Sequence, residues 1–332
     1  MKLRHHRLGE LPKLAQVCPF PPPLAAAQFG PSLTAVSDQW LSQIVCETIH
    51  KALVFAYDLG VATIEQYLDD RLALGRAYFS REEAMAALGS SPAALNMALT
   101  RQAKKGRVAN PRHGFYLILR PEDRAIGAPD PARWIDPLMK SIRVDYRITL
   151  LRAAACHGSS HQAAMVFQVI VPRQMRGFEI GRHRLEFVYQ NPTVFGQVNQ
   201  PNWLGSLKSD AGFAKVAGIE LTLLDCARYF HKAAGINGVA QVVKDLGGKA
   251  KPEKLAKIAT HCENSSVRRL GYLLERMHHM RQANALRPFV KKAKTAVLLD
   301  PSLKLLVEGL PGLHEKEPKW LLILNETVEV DS

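Results

Sequence analysis

The sequence has no uninterrupted apolar run of about 18 residues, the length that a membrane-spanning helix needs. We therefore expect no transmembrane segment. Cysteines are also few, five in 332 residues, and they are widely scattered along the chain. This spacing indicates neither a zinc-binding cysteine pair nor a disulfide framework. The cysteine pattern therefore favours a reduced, cytoplasmic protein.

Acidic residues are in short supply as well. Thirty Asp and Glu residues stand against 44 Lys and Arg residues, which gives a formal net charge of +14. An excess of this size attracts phosphate-rich partners such as nucleic acids, although it carries no information about the fold. Because 332 residues are more than one small core usually uses, we expect two domains and an appendage.

The apolar pattern divides the chain into four segments. Residues 1–60 are predicted to be an N-terminal extension, partly disordered, with one helix near 40–57. Residues 62–120 are predicted to form a small DNA-binding domain, 121–133 a linker containing Pro and Gly, and 134–332 a larger mixed α/β domain. The predicted fold class is α+β, because helices and strands mix without the rhythm of a parallel sheet.

Local signals are densest between residues 76 and 120. Ser80 followed by Glu83 predicts a capping box at the start of a short helix, which ends at Gly89. Pro92 suits the first position of the next helix, and a β-hairpin is predicted within 108–119. The order of helix, helix, turn, helix and hairpin is that of a winged helix-turn-helix.

The second helix of this motif carries candidate DNA-reading residues. If Leu95 and Leu99 face the core, the period of 3.6 residues places other side chains on the remaining faces. The candidates for reading bases are Asn96, Met97, Thr100 and Arg101, since Asn can bond adenine and Arg can bond guanine in two places. The candidates for binding phosphates are Lys104, Lys105, Arg107, Arg112 and His113. The alternative interpretation is a solvated basic helix face.

A second basic cluster lies near the C-terminus. It comprises Arg287, Lys291, Lys292 and Lys294, with no acidic residue among them. It can add phosphate contacts to DNA or serve another partner, and a solvated surface is an equally open interpretation.

Several segments invite an enzymatic interpretation that their details do not support. His157 and His161 have the i, i+4 spacing of helical metal ligands, but Gly158 interrupts them and no Glu lies between. Residues 204–210 contain a Gly-Ser pair, as nucleotidyltransferase sites do, but Asp210 lacks a second nearby carboxylate, so we predict a loop. We expect no catalytic residue, no metal site and no cofactor.

Two further local predictions concern the C-terminal half. Thr222 and Asp225 are expected to cap a helix that runs to Ala234. The Gly-Gly pair at 247–248 follows a predicted helix and therefore indicates a helix stop, not a phosphate-binding loop.

Five blocks of sequence carry a resemblance to a known family. They are LALGRAYFSREEAMAALGSSPAALNMALTRQAKKGRVANPRHGFYLI (72–118), LLRAAACHGSSHQAAMVFQVIVPRQMR (150–176), LTLLDCARYFHKAAGINGVAQVVKDLG (221–247), RRLGYLLE (268–275) and WLLILN (320–325). With these blocks the chain resembles the AbiEi antitoxins of type IV toxin–antitoxin systems over about residues 62–330.

The resemblance implies a transcriptional repressor with two functions. Its winged helix is expected to bind inverted repeats of double-stranded DNA in the promoter of its own operon. Its C-terminal domain is expected to counter a nucleotidyltransferase-like toxin without a stable complex between the two proteins. The resemblance supplies no catalytic residue. A stand-alone transcription factor with a ligand- or partner-binding second domain and a nucleic-acid-modifying enzyme are the alternatives.

Overall fold

The computed structural model describes residues 63–159, 166–209, 212–303 and 315–329. The helix predicted near 40–57 lies outside these residues, as do His161 and Asp210.

Residues 63–118, which we name the helix–hairpin region, contain three helices and three strands. In chain order these are α1 (Ile64–Ala73), β1 (Tyr78–Ser80), α2 (Arg81–Leu88), α3 (Pro92–Lys104), β2 (Val108–Arg112) and β3 (Phe115–Ile118). The strands form an antiparallel sheet in the order β1–β3–β2. The helices and the hairpin lie where the sequence predicts them, whereas β1 is an addition.

The starts and ends of α2 and α3 follow from local chemistry. The Ser80 hydroxyl accepts a hydrogen bond from the Glu83 amide at 3.1 Å, and the Glu83 carboxylate accepts one from the Ser80 amide at 2.9 Å. The predicted capping box is therefore confirmed. Gly89 ends α2 with a φ of +56°, a left-handed conformation that suits glycine. Pro92 opens α3, and the Ser91 side chain caps it.

The three-stranded sheet is covered on both faces. One face packs against α1–α3 in a small core that comprises Tyr67, Leu68, Phe79, Ala84, Leu95, Leu99, Val108 and Ile118. Phe115 and Leu117 point the other way and belong to the core of the C-terminal half. Leu117 is fully buried there. The helix–hairpin region therefore shares apolar contacts with the rest of the chain.

The segment predicted as a linker is packed. It contains the short helix α4 (Pro121–Arg124) and leads to α5 (Ile135–Ser141). Ala128 is fully buried, and the Trp134 indole donates a hydrogen bond to the Pro129 carbonyl oxygen at 2.9 Å. These contacts fix the conformation of residues 121–134.

A mixed six-stranded sheet forms the centre of the C-terminal half. Its strands are β4 (Arg147–Ile148), β5 (Val166–Val171), β6 (Phe178–Ile180), β7 (His183–Tyr189), β8 (Leu204–Ser209) and β9 (Gly212–Ala217). The spatial order is β6–β7–β5–β4–β9–β8, with parallel pairing of β5 with β7 and of β4 with β9. Residues 204–209 are thus an edge strand, and the predicted loop is wrong there.

In the described part of this half, seven further helices and a small sheet surround the six-stranded sheet. The helices are α6 (Leu150–Cys156), α7 (Pro192–Val198), α8 (Ile219–Arg228), α9 (Gly235–Leu246), α10 (Pro252–Ala259), α11 (Asn264–Arg276) and α12 (Met280–Val290). The strands are β10 (Val297–Leu298), β11 (Glu315–Glu317) and β12 (Leu322–Leu324). The mixture confirms the α+β class.

Helix α8 begins earlier than the sequence suggests. It starts at Ile219, so Thr222 and Asp225 lie inside it and do not cap it. The Thr222 hydroxyl donates to the Ala217 carbonyl oxygen at 3.2 Å, and Asp225 binds a buried arginine. The predicted cap is therefore wrong, because the helix starts three residues before Thr222 and the Asp225 carboxylate is taken by a residue distant in the sequence.

The C-terminal segment 315–329 docks on α11 through Trp320. The indole lies against Gly271, where an added Cβ atom would be 2.1 Å from the ring. Its N–H donates to the Glu275 carboxylate at 2.8 Å. Arg268 donates to the carbonyl oxygens of Thr295 and Leu321, both at 3.0 Å. Gly271 and Arg268 of α11 thus bind a segment that lies about 50 residues later in the sequence.

Within the described ranges, every helix is too short or too polar to cross a lipid bilayer.

Candidate nucleic-acid interface

Helix α3 presents a polar face to solvent. Leu95 and Leu99 are buried against α1 and α2, whereas all four candidate base-reading side chains, Asn96, Met97, Thr100 and Arg101, are exposed. Met97 is 63% exposed, which is unusual for a large apolar side chain. The structure therefore brings the four candidates together on one accessible surface.

Hydrogen-bonding capacity on this face is largely unused. The Thr100 hydroxyl donates to the Asn96 carbonyl oxygen at 2.8 Å, and Arg101 Nε lies 3.4 Å from the Met97 carbonyl oxygen. Among the described residues, the side chains of Asn96 and Lys104 have no hydrogen bond or ion pair. An exposed amide and an exposed ammonium can bond a base edge and a phosphate, respectively.

The tip of the β2–β3 hairpin carries two further candidates. Arg112 and His113 are exposed, and Gly114 makes the turn with a φ of +82°. The Asn110 amide donates to the carbonyl oxygens of Arg112 and Phe115, both at 3.0 Å. These bonds fix the shape of the tip, so Arg112 and His113 project from a rigid turn.

The structure separates Lys105 and Arg107 from this face. Lys105 Nζ lies 3.4 Å from a Glu65 carboxylate oxygen, and Arg107 forms an ion pair with Asp69. Both partners belong to α1. A backbone hydrogen bond, followed by the Gln102 side chain and Lys105, lowers the pKa of Glu65. Lys105 and Arg107 therefore pair with carboxylates of their own region. To contact DNA phosphates as predicted, each would have to bind the phosphate and its carboxylate at the same time.

The second predicted basic cluster is also divided. Lys291, Lys292 and Lys294 are exposed at and beyond the end of α12. Arg287 instead lies over the Trp320 ring at 5.3 Å and donates to the Lys319 carbonyl oxygen at 3.1 Å. Arg287 thus helps to hold the C-terminal segment, and only the three lysines form an open surface.

The centre of the C-terminal half contains a buried polar cluster. Arg147 donates two hydrogen bonds to the Asp225 carboxylate, at 2.9 and 3.0 Å, and one to Gln190 at 2.9 Å. Thr149 donates to the same carboxylate at 2.8 Å. Arg147 and Thr149 are fully buried, and Asp225 is almost so. This arrangement joins β4 to α8 and fits a structural role, because no group of the cluster reaches solvent.

The residues that suggested metal or phosphate chemistry have structural contacts. A ring nitrogen of His157 lies 2.7 Å from the Ala217 carbonyl oxygen. Gly247 lies so close to the His279 ring that an added Cβ atom would be 2.3 Å from it. Within the described ranges, no three His, Cys, Asp or Glu side chains are grouped as a metal site would require.

Four arginines that the sequence interpretation passed over are exposed. They are Arg173, Arg176, Arg182 and Arg184, and in the described part of the chain their side chains have no hydrogen bond or ion pair. The signal was available in the sequence, since residues 173–184 contain four Arg and one Glu.

Comparisons with known proteins agree with this architecture. The chain is similar to the crystal structure of the RV2827C protein from Mycobacterium tuberculosis, with a TM-score of 0.54 and 14% identity. The match covers 81% of this chain and 94% of that chain, and at this identity it shows the fold alone. No curated protein gives a significant match. The family model of the AbiEi antitoxin C-terminal domain matches residues 147–276.

The matched range begins at the buried Arg147 and ends at the last residue of α11. It therefore includes the Arg147–Asp225 cluster and the whole six-stranded sheet. The resemblance found in the sequence is confirmed for this range, which matches the C-terminal domain of the AbiEi antitoxins.

Proposed function

We propose that the protein is the antitoxin of a type IV toxin–antitoxin system and a DNA-binding repressor of its own operon. In this proposal the helix–hairpin region is a winged helix-turn-helix, with α2 and α3 as the helix pair and β2–β3 as the wing. Helix α3 enters the major groove, and Arg112 and His113 at the wing tip contact the backbone.

The observation that carries the proposal is the outward face of α3. It exposes an amide, a hydroxyl, a guanidinium and an ammonium along one helix, with no described residue covering them. The core side of the same helix is fixed by Leu95 and Leu99. A rigid helix with a polar, cationic free face has the form required for reading a groove.

The proposed antitoxin role rests on the family of residues 147–276 and on no single residue of this chain. The expected partner is a nucleotidyltransferase-like toxin encoded beside the gene. Co-expression with that toxin should restore growth. A failure to restore growth would favour a stand-alone transcription factor.

The DNA-binding part is tested by fluorescence anisotropy with duplexes from the region upstream of the gene. Asn96→Ala and Arg101→Ala should each reduce discrimination against an unrelated duplex by about 1–3 kcal/mol, because each removes a base-reading group. Lys104→Ala should weaken both duplexes alike and reduce the salt slope by about one.

Lys257→Ala is the matched control, since Lys257 is an exposed lysine on α10. It should bind like the parent protein. Equal binding by the parent and by all three α3 variants would show that α3 does not read DNA.

A further inference from the structure

The β6–β7 hairpin of the C-terminal domain has an arginine-rich surface. Arg173 and Arg176 precede β6, Arg182 lies in the turn, and Arg184 is on β7. We name these four residues with their hairpin the arginine hairpin. Glu179 is the one acidic residue between 173 and 184, and it lies opposite Arg184 in the strand register. Arg173, Arg176 and Arg182 have no such neighbour across the hairpin.

The arginine hairpin lies next to the proposed wing. Strand β6 is the edge of the six-stranded sheet, β2 is the edge of the three-stranded sheet, and these two edges are in contact. Ala109 of β2 and Phe178 of β6 pack against the same apolar core. Arg176 and Arg182 lie two residues before and two residues after β6, so they flank the strand that contacts the wing.

Backbone contacts hold the hairpin in place. The Arg182 amide donates to the Ile126 carbonyl oxygen at 2.9 Å, and a His183 ring nitrogen lies 3.2 Å from the Ala128 carbonyl oxygen. At Gly181 an added Cβ atom would be 2.2 Å from the Ile126 oxygen, so the turn is pressed against the connecting segment. The four guanidinium groups are thus carried by a fixed frame, which reduces the entropy lost on binding.

We infer that the arginine hairpin is a second phosphate-binding element that extends the DNA contact beyond the wing. The inference rests on the proposed function, because it takes the orientation of the DNA from α3 and the wing. Duplex that continues past the wing meets Arg176 and Arg182 next. Guanidinium groups bind phosphate in two places and stay charged at every accessible pH. The AbiEi-type domain therefore takes part directly in holding DNA.

The test compares Arg176→Ala/Arg182→Ala with the parent protein by anisotropy, on the upstream duplex and on an unrelated duplex of equal length. The double variant should bind both duplexes about tenfold more weakly, with a salt slope reduced by about two, because two phosphate contacts are lost. Discrimination between the two duplexes should stay unchanged. Replacement by Lys at both positions should restore the salt slope.

Lys251→Ala/Lys257→Ala is the matched control, since it removes the same charge from two exposed positions of the C-terminal half that belong to neither candidate basic surface. If both double variants lose affinity equally, net charge explains the loss and the inference is overturned. Parental affinity of the Arg176→Ala/Arg182→Ala variant overturns it too. The proposed reading of DNA by α3 has a separate readout, because it fails if Asn96→Ala and Arg101→Ala leave the discrimination between the two duplexes intact.

Discussion

The helix–hairpin region and the AbiEi-type domain each contain an ion pair that shows how differently charged groups are used. In the first, the ion pair of Arg107 with Asp69 lies at the surface, with the Asp69 side chain 62% exposed. In the second, Arg147 and Asp225 pair at 2.9 Å with almost no exposure. Surface charges remain available to a partner, whereas buried charges hold strands and helices together. The comparison indicates that the charge of a side chain alone does not distinguish residues that can bind a partner from residues that stabilise the fold.

The largest effect should come from breaking the buried pair. Asp225→Ala leaves the Arg147 guanidinium buried without its carboxylate, and it also removes the acceptor of Thr149. We expect a loss of about 3–5 kcal/mol in the free energy of unfolding, measured by urea denaturation with circular dichroism. Asp69→Ala removes a surface partner and should cost no more than about 1 kcal/mol. Similar losses for the two variants would contradict the comparison.

The next experiment asks whether the two regions unfold together. Leu117 lies on a strand of the helix–hairpin region but is buried in the core of the C-terminal half. Leu117→Ala should cost about 2–5 kcal/mol through lost contacts and a cavity. All four tryptophans, Trp40, Trp134, Trp203 and Trp320, lie outside the helix–hairpin region, so tryptophan fluorescence should report an earlier transition in this variant.

Leu95→Ala is the control for that experiment, because Leu95 is buried only within the small core of the helix–hairpin region. It should lower helical content with a smaller shift in the tryptophan transition. An unchanged tryptophan transition in Leu117→Ala would mean that the shared core does not couple the two regions.

The smallest effect concerns helix caps. Ser80 caps α2 through its hydroxyl, and Ser80→Ala should cost about 1 kcal/mol in thermal or urea unfolding. Ser80→Asp keeps an acceptor at the cap and should retain most of the stability. Thr149 precedes α6 in the same way, but its hydroxyl is donated to Asp225 and does not cap the helix. A loss in Ser80→Asp as large as in Ser80→Ala would show that the cap does not stabilise α2.

The sequence predicts the helix–hairpin region better than the rest because its signals are local. Ser80 and Glu83 are three residues apart, and Gly89 and Pro92 mark helix ends by their own backbone preferences. Asp225 was misassigned as a cap because its partner Arg147 is 78 residues away. Strand β8 was missed because an exposed edge strand of Gly, Ser and Lys lacks the apolar alternation of a buried one.

In the candidate site, too, the sequence predicts what depends on local spacing and misses what depends on contacts between distant residues. The period of α3 separates Leu95 and Leu99 from the exposed face, and the structure has the four base-reading candidates on that face. The pairing of Arg107 with Asp69 depends on how α1 packs, and no local pattern contains this information. The position of Arg182 near the β2–β3 hairpin depends on contact between the edge strands β2 and β6. Tertiary contacts therefore decide which of the predicted cations are free.

Under the proposed function, the packing of the three-stranded sheet on both faces decides which residues could be exchanged to change DNA specificity. A chimaera cut at residues 121–133 would bring in a foreign sheet, and its side chains would have to replace Phe115 and Leu117 in a core that is not their own. Changing only the exposed residues of α3 leaves that packing intact. The part that can be exchanged is therefore the exposed face of α3, whereas the other residues of the helix–hairpin region have to stay with the C-terminal half against which they pack.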